Sequence, residues 1–339
     1  NWLHATVPLG RRCIFNRNPR KKQSMSMTLE IIGAESLGVR SLCCLVTLPD
    51  RQIAIDPGIS LGYIRHGLMP HPLQVAVGRR IRAKILLALE SASDVVFSHF
   101  HGDHIPLVGA NPYQLDVEAL PSRFRDLRCW SKSGDDLSPT MHKRFLDIAD
   151  LLGDNMRVAE ESSYGPLSFS GSVPHGARDS NTGTLMMTRI EMADRVFVHA
   201  SDIQLLDDVT VDKLIDWKPD IVLAAGPPLY LEWLDNGERK RAWENAVRLA
   251  LNIETLILDH HLMRSRNGAA WLDKLSSTVG RQVYCAADYM EKPRRLLEAD
   301  RSRLYEEMPV PDGWHKDYAE GRVDPDEYLD SIGYVGSRR

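Results

Sequence analysis

Short apolar runs broken by turn residues open the readable part of the chain, and their spacing predicts a strand meander. Residues 28–32 and 41–48 are apolar, β-branched or sulfur-rich, with Gly33 and Gly38 between them; 52–55 then runs into the turn Asp56-Pro57-Gly58. The period then becomes helical. Over 74–91, Val77, Ile81, Ile85, Leu86 and Leu89 share one face, and Arg79, Arg80, Arg82 and Lys84 lie largely on the other, which predicts a helix with a solvated basic side.

Residues 95–98 form a strand of the buried type that runs straight into His99. A helix is predicted over 141–152, strands over 156–158 and 167–173, and two more, 184–190 and 195–199, on either side of a turn. Helix and strand then alternate: helix 211–216, strand 221–225, helix 239–252, strand 255–258, helix 269–277, strand 282–286. Two mixed halves of strands and helices are implied. No linker or repeat divides them, so one domain over 27–308 is the simplest organisation. A basic N-terminal extension over 1–26, expected to be disordered, precedes it, and a C-terminal appendage over 309–339 follows.

Composition narrows the function. With 339 residues, 43% of them hydrophobic, the chain can bury a sizeable core. A net charge of -4 argues against a general polyanion binder, so nucleic acid is not the favoured partner. Five cysteines without CxxC spacing form neither a disulfide framework nor a zinc ribbon, which points to a reducing cytoplasm. Cys43 and Cys44 would face opposite sides of a strand, as packing residues. No run approaches the roughly 18 apolar residues of a membrane-spanning helix.

The chemistry gathers in Ser98-His99-Phe100-His101-Gly102-Asp103-His104, three imidazoles and a carboxylate at the end of an apolar strand. Such donors suit zinc, and Gly102 lets the loop curl so that His99 and His101 face one ion while Asp103 and His104 face another. Further donors sit at later strand ends. His175 follows strand 167–173. Asp202 closes the run 196–200, with Ser201 before it, where a buried carboxylate needs a cation or hydrogen-bond donors unless it caps the next helix. His260 and His261 end strand 255–258; alternation sends them to opposite faces, so one is expected to bind metal and the other to support the structure.

In this order, an early Asp56, an HxHxDH loop, a His, an Asp and a last His, the chain resembles the metallo-β-lactamase superfamily from Asp56 to His260. The resemblance implies a four-layer αβ/βα sandwich of two mixed sheets flanked by helices, with two divalent metal ions at the shared sheet edge. His99, His101 and His175 would hold the first ion and Asp103, His104 and His260 the second, with Asp202 bridging both. Asp56 would be an anchor hydrogen-bonded near the loop. Leu256-Ile257-Leu258-Asp259-His260 is similar to the last metal-binding strand of the tRNA 3′-processing branch, which favours His260 over His261. A nearer resemblance, to a group of uncharacterised archaeal metallo-hydrolases, is carried by Glu35-Ser36-Leu37-Gly38-Val39-Arg40-Ser41, Asp56-Pro57-Gly58, Pro70-His71-Pro72, Ser201-Asp202, Gly226-Pro227-Pro228 and Asp259-His260-His261. Gly102 and Ile105 depart from that group's loop, which bears on substrate shape.

The expectation is a dinuclear metal-dependent hydrolase, with zinc first and manganese or iron as alternatives, that uses a metal-bridging hydroxide as nucleophile. Asp103 would handle the proton, with Asp56 counted beside it among the catalytic residues. Arg178, Arg264 and Arg40 are candidates to grip an anionic small-molecule substrate, and His199 is either a proton donor or a buried structural residue. A phosphoester is the first substrate class; a lactone, thioester or amide is the alternative, and a non-catalytic metal-binding module comes third. His101, where iron redox members carry a carboxylate, disfavours redox chemistry.

Overall fold

The computed structural model describes residues 27–178, 182–192 and 195–330. The N-terminal extension and the last residues of the appendage fall outside that range. The opening meander is β1 (Thr28–Ile31), β2 (Cys44–Leu48) and β3 (Arg51–Ile55), paired antiparallel in turn. Helix α1 (Pro72–Ser91) crosses to β4 (Asp94–Phe97), which lies parallel to β3. Next come β5 (Arg128–Ser131), α2 (Pro139–Leu152) and β6 (Met156–Val158), completing a six-stranded mixed sheet in the order β1 to β6. Pro72 stands at the first helical position of α1, where its missing N–H costs nothing. The preceding His71 accepts the Leu73 amide through Nδ1, and the Gln74 side chain returns to the His71 amide.

The second sheet takes β7 (Ser163–Tyr164) and β8 (Leu167–Phe169), then β11 (Thr188–Met192), β12 (Arg195–Ser201), β13 (Ile221–Ala224) and β14 (Thr255–Leu258). Between β8 and β11 the chain makes a small separate ribbon of β9 (Val173–Pro174) and β10 (Thr184–Leu185). In space the order is β14-β13-β12-β11-β8-β7, with β12, β13 and β14 parallel. Helices α3 (Asp208–Asp216), α4 (Asn236–Asn252) and α5 (Arg266–Val279) alternate with these strands.

Side-chain alternation sorts the layers. Cys44, Val46, Ile53, Ile55 and Val96 of the first sheet share one core with Phe169, Ile190 and Phe197 of the second, and that core continues to Leu214, Leu249 and Leu272 of α3, α4 and α5. Cys43, Ala54, Val95 and Phe97 point the other way, to Val77, Ile81 and Ile85 of α1 and Ile148 of α2. The result is the expected αβ/βα sandwich, two six-stranded mixed sheets between helices. Cys43 and Cys44 do face opposite sides, fully buried, and burial pushes both thiols upward.

Several local readings change, among them the strand expected over 167–173, which splits into β8 of the second sheet and β9 of the ribbon. The strand β5 was not anticipated, and the strand expected over 282–286 is a single bridge between Ile257 and Tyr284 that passes into α6 (Ala286–Tyr289). The run 184–190 is interrupted at Met186 and Met187, whose backbones bond to Ser98 and Ser170 instead of continuing one ladder. Beyond 308, following α7 (Arg301–Glu307), come α8 (Trp314–Ala319) and α9 (Glu327–Asp330); Trp314 and Leu329 join the core under α1, and Arg79 pairs with Asp324 and Asp326 at 2.7 and 2.8 Å. Among the described residues no helix is long and apolar enough to cross a membrane.

Candidate metal centre

Parallel strands end on the same side of a sheet, and the polar residues follow immediately from those ends. Asp56 follows β3, His99 follows β4 after Ser98, Asp202 follows β12, and Asp259-His260-His261 follow β14, while His175 follows β9 of the separate antiparallel ribbon. Asp56 and Ser201 adopt φ of 46° and 50°, a region that L-residues occupy at a cost of about 1–3 kcal/mol and keep only where their surroundings enforce it. Gly58 permits the closest approach: a Cβ there would collide with the backbone of His104 and Ile105. The turn after β3 and the His-rich loop therefore lie directly against each other.

Asp56 sits under that loop, fully buried. Its Oδ1 accepts the Ser98 amide at 2.8 Å; its Oδ2 accepts the hydroxyls of Ser98 (2.5 Å) and Ser201 (3.0 Å) and faces His104 Nδ1 at 3.0 Å. Burial alone would raise its pKa, but the His104 hydrogen bond and the surrounding imidazoles hold it well below the usual carboxylate range. With Nδ1 directed at Asp56, the other nitrogen of His104 is aimed at Asp202.

Asp202 is the meeting point. Around Oδ2 stand Nε2 of His175 at 3.1 Å, Nε2 of His99 at 3.6 Å and Nδ1 of His101 at 4.0 Å. His99 Nε2 and His101 Nδ1 are 2.9 Å apart. On the other side, His104 Nε2 lies 3.2 Å from Oδ1, and His260 Nε2 lies 3.8 Å from Oδ2 and 3.2 Å from Asp103 Oδ2. Among the described residues four overlapping groups of donors converge: two bring in Asp56 (with His99 and His104) and His261 (with Asp202 and His260), and the other two are His99-His101-His175-Asp202 and Asp103-His104-His260, with Asp202 touching both. The latter two hold the seven metal ligands named from the sequence.

The donors fit divalent cations on two grounds. His104 Nε2 and Asp202 Oδ1 are buried and face each other at 3.2 Å without a well-formed hydrogen bond, so each has only the other as a partner and the remaining capacity of the carboxylate oxygen is unmet. Burial, followed by repulsion from neighbouring imidazoles, lowers the pKa of His99 to about 4 and that of His101 to about 2, so both rings stand neutral with a lone pair to give. His104 goes the opposite way: burial opposes its charge, but Asp202 and Asp56 raise its pKa well above the ordinary value. A divalent cation bound at Nε2 would displace that proton.

Strand alternation does not extend to His260 and His261. The chain leaves β14 at Leu258 and turns, and His261 is already helical, with φ -78° and ψ -38°. Both rings consequently face the centre, and His261 Nε2 lies 3.2 Å from Asp202 Oδ2.

No family model matches the chain. The UPF0282 protein of Methanosarcina mazei is 48% identical over 303 residues, covering 89% of this chain and 100% of its own. That of Pyrobaculum islandicum is 32% identical over 297 residues, covering 84% and 96%. The chain belongs to the UPF0282 family. Among solved structures, the isothiocyanate hydrolase from Delia radicum gut bacteria aligns with a TM-score of 0.45 and 16% identity, over 73% of this UPF0282 chain and 93% of its own. The metallo-β-lactamase fold protein YhfI from Bacillus subtilis aligns with 0.43 and 14%, over 76% and 95%.

The other candidates in this UPF0282 chain are less central. Arg178 forks onto Asp207 through two 3.1 Å contacts, and Asp207 caps α3. Arg40 is bound to Glu298 at 2.5 Å. His199 is buried and gives Nε2 to the Leu42 carbonyl at 2.9 Å, which makes it a structural residue. Arg264 alone reaches the centre: Nη2 is 3.0 Å from His260 Nε2, Nη1 meets the Tyr230 hydroxyl at 3.0 Å and Nε meets Glu35 at 3.0 Å. Burial works against its charge, yet Glu35 and its neighbours keep the pKa raised. Sequence reading quoted Glu35 and Ser201 only inside motifs without a role, placed His261 on the face away from His260, and did not name Tyr230. For Tyr230 the available signal was its position just after Gly226-Pro227-Pro228, a turn that follows a strand end on the ligand edge.

Proposed function

We propose that this chain is a dinuclear metal-dependent hydrolase of a small anionic substrate, with a phosphoester as the first class. The observation that carries the reading is the convergence of two sets of metal-type donors on Asp202, with His104 Nε2 and Asp202 Oδ1 buried between them, 3.2 Å apart and without a well-formed hydrogen bond. Two divalent cations, if held by these sets, would supply Lewis-acid stabilisation of developing negative charge and would lower the pKa of water from about 15.7 towards about 7.

The chain's own residues do the rest. Asp56 fixes the His104 ring by taking Nδ1 and leaves Nε2 directed at the centre. Asp103, whose side chain is 20% exposed, is the acidic group of the second set with access to solvent, and it is suited to pass a proton outward. Burial would raise its pKa, but His260 and His104 keep it well below the ordinary range, so it stands ionised as an acceptor. The guanidinium of Arg264 beside His260 is paired with Glu35 and steadies that flank; the phosphoester comes first because two cations would stabilise both the attacking and the leaving oxygen of a phosphoryl displacement.

The test is hydrolysis of bis(4-nitrophenyl) phosphate, a lactone and a thioester by the full chain loaded with zinc or manganese. Cleavage of the phosphodiester that disappears in His99→Ala, with the fold intact by circular dichroism, supports the reading. Cleavage of only the lactone or thioester moves the assignment to carbonyl substrates. Equal turnover by H99A and wild type removes it.

A further inference from the structure

Beside the metal centre a group of arginines is under-neutralised. Arg40, Arg65 and Arg301 all approach the buried Glu298, at 2.5, 3.5 and 2.5 Å, and Arg264 pairs with Glu35, so four guanidinium groups meet two carboxylates. Nε of Arg40 and Nε of Arg301 are buried without a hydrogen-bond partner. Arg301 and Glu298 are sealed off, whereas the side chains of Arg65 and Arg40 keep 16% and 26% exposure. The unbalanced charge therefore opens to solvent at these two residues.

Arg65 differs from the others in how loosely it is held. Its contacts are Nη1 to Glu298 at 3.5 Å, Nη2 to the Arg264 carbonyl at 3.3 Å and Nε to His66 at 3.4 Å, all longer than the roughly 2.7–2.9 Å of a good charge-assisted hydrogen bond. Arg264, by contrast, is committed on every side. The Tyr230 ring links the two: the guanidinium carbon of Arg65 is 5.2 Å from its centroid and that of Arg264 is 5.4 Å. Its hydroxyl stands 3.4 Å from His261 Nδ1, whose other nitrogen touches Asp202. The loop carrying Arg65 is laid tightly on the cluster, since a Cβ on Gly62 would collide with Arg40 and Glu298.

We propose that Arg65, with Arg40 behind it and the Tyr230 ring beside it, is a subsite for an oxyanion on the substrate, carboxylate or phosphate, separate from the bond that is broken. A planar guanidinium with weak existing partners gains two short bonds from such a group, and the neighbouring positive charge adds to the attraction. The substrate class is then a hydrolysable compound bearing a second, anionic end. That statement rests on the hydrolase reading for the word substrate; the anion subsite does not.

Binding of inorganic phosphate and of glutarate to the metal-free full chain, followed by calorimetry, tests the subsite without catalysis. Wild type binds at least one of them, and Arg65→Gln weakens it about tenfold, the usual worth of a lost charge-assisted contact; which anion binds tells a phosphate from a carboxylate. No binding of either anion, or unchanged affinity in R65Q, overturns the proposal. Should R65Q fail to fold, Arg65→Lys keeps the charge facing Glu298 but loses the fork, and unchanged affinity there is equally fatal. On the zinc-loaded chain, wild type prefers 4-nitrophenyl hemiglutarate over 4-nitrophenyl butyrate and R65Q loses that preference, a ratio that general damage to the fold does not move. Absence of turnover with every substrate, alongside Arg65-dependent anion binding, would sink the hydrolase and leave the subsite standing.

Discussion

Replacing Asp56 with asparagine keeps the side-chain shape and removes one acceptor oxygen. In the wild type Oδ1 takes the Ser98 amide, while Oδ2 takes two hydroxyls and faces His104 Nδ1. An amide cannot serve both sides. If its NH2 faces the Ser98 amide, two donors oppose each other; if it faces His104, the imidazole must accept on Nδ1 and carry its proton on Nε2, the atom aimed at Asp202. Partners that orient a metal-binding histidine are typically worth about 10–100-fold in metal affinity, or roughly 1.4–2.7 kcal/mol. Asp56→Asn should weaken the second metal by that factor in a zinc titration against a competing chelator. The metal-free variant should also lose about 1.5–3 kcal/mol of unfolding free energy, the worth of a hydrogen bond to a charged group. Zinc affinity equal to that of wild type at both steps would refute the assignment of Asp56 as the residue that sets the His104 tautomer.

Further tests follow from the same geometry. His260→Ala removes the nitrogen beside Asp103 and Asp202, so bound metal by plasma emission should fall from about two equivalents to about one, while His261→Ala keeps about two; the reverse ranking assigns the position to His261. Acid should weaken the metal-free chain, because burial lowers the pKa of His99 to about 4 and of His261 to about 3 from 6.5. The unfolded chain takes up protons near pH 6.5 that these folded rings refuse, so stability declines as pH falls from about 6.5 towards 4; His104, whose pKa is raised, adds stability that is essentially complete below about pH 6.5 and does not offset this fall. Urea midpoints that are the same at pH 7 and pH 5 would contradict this. Gly58→Ala drives a methyl group into the backbone of His104 and Ile105 and should cost about 1–3 kcal/mol of stability together with metal content, read by melting temperature and metal analysis.

Most of the sheet framework and the donor residues were legible because both follow from short-range pattern. Apolar runs that end abruptly in His or Asp mark strand ends, and parallel strands bring those ends to one edge. What the pattern did not carry was any change of backbone state inside a segment. Alternation misplaced His261 because the chain turns helical there. The run through Met186 and Met187 looked continuous although those residues cross from a ribbon to a sheet, bonding to the Ser98 and Ser170 region on the way. Strand β5, Arg-Cys-Trp-Ser, is too short and too polar at its ends to show a period, and it is a strand because β4 and β6 pair with it on both sides. Arg65 and Glu35 matter through tertiary contacts that span most of the chain, to Arg264 and Glu298, which no local pattern encodes.

The central claim is that the donors around Asp202 hold two cations. Anomalous diffraction at the zinc edge from crystals of the full chain grown with zinc addresses it directly. Two peaks are expected, one about 2 Å from Nδ1 of His101 and one about 2 Å from Nε2 of His260. A map with no peak among these residues, while zinc scatters elsewhere on the surface, would contradict the account.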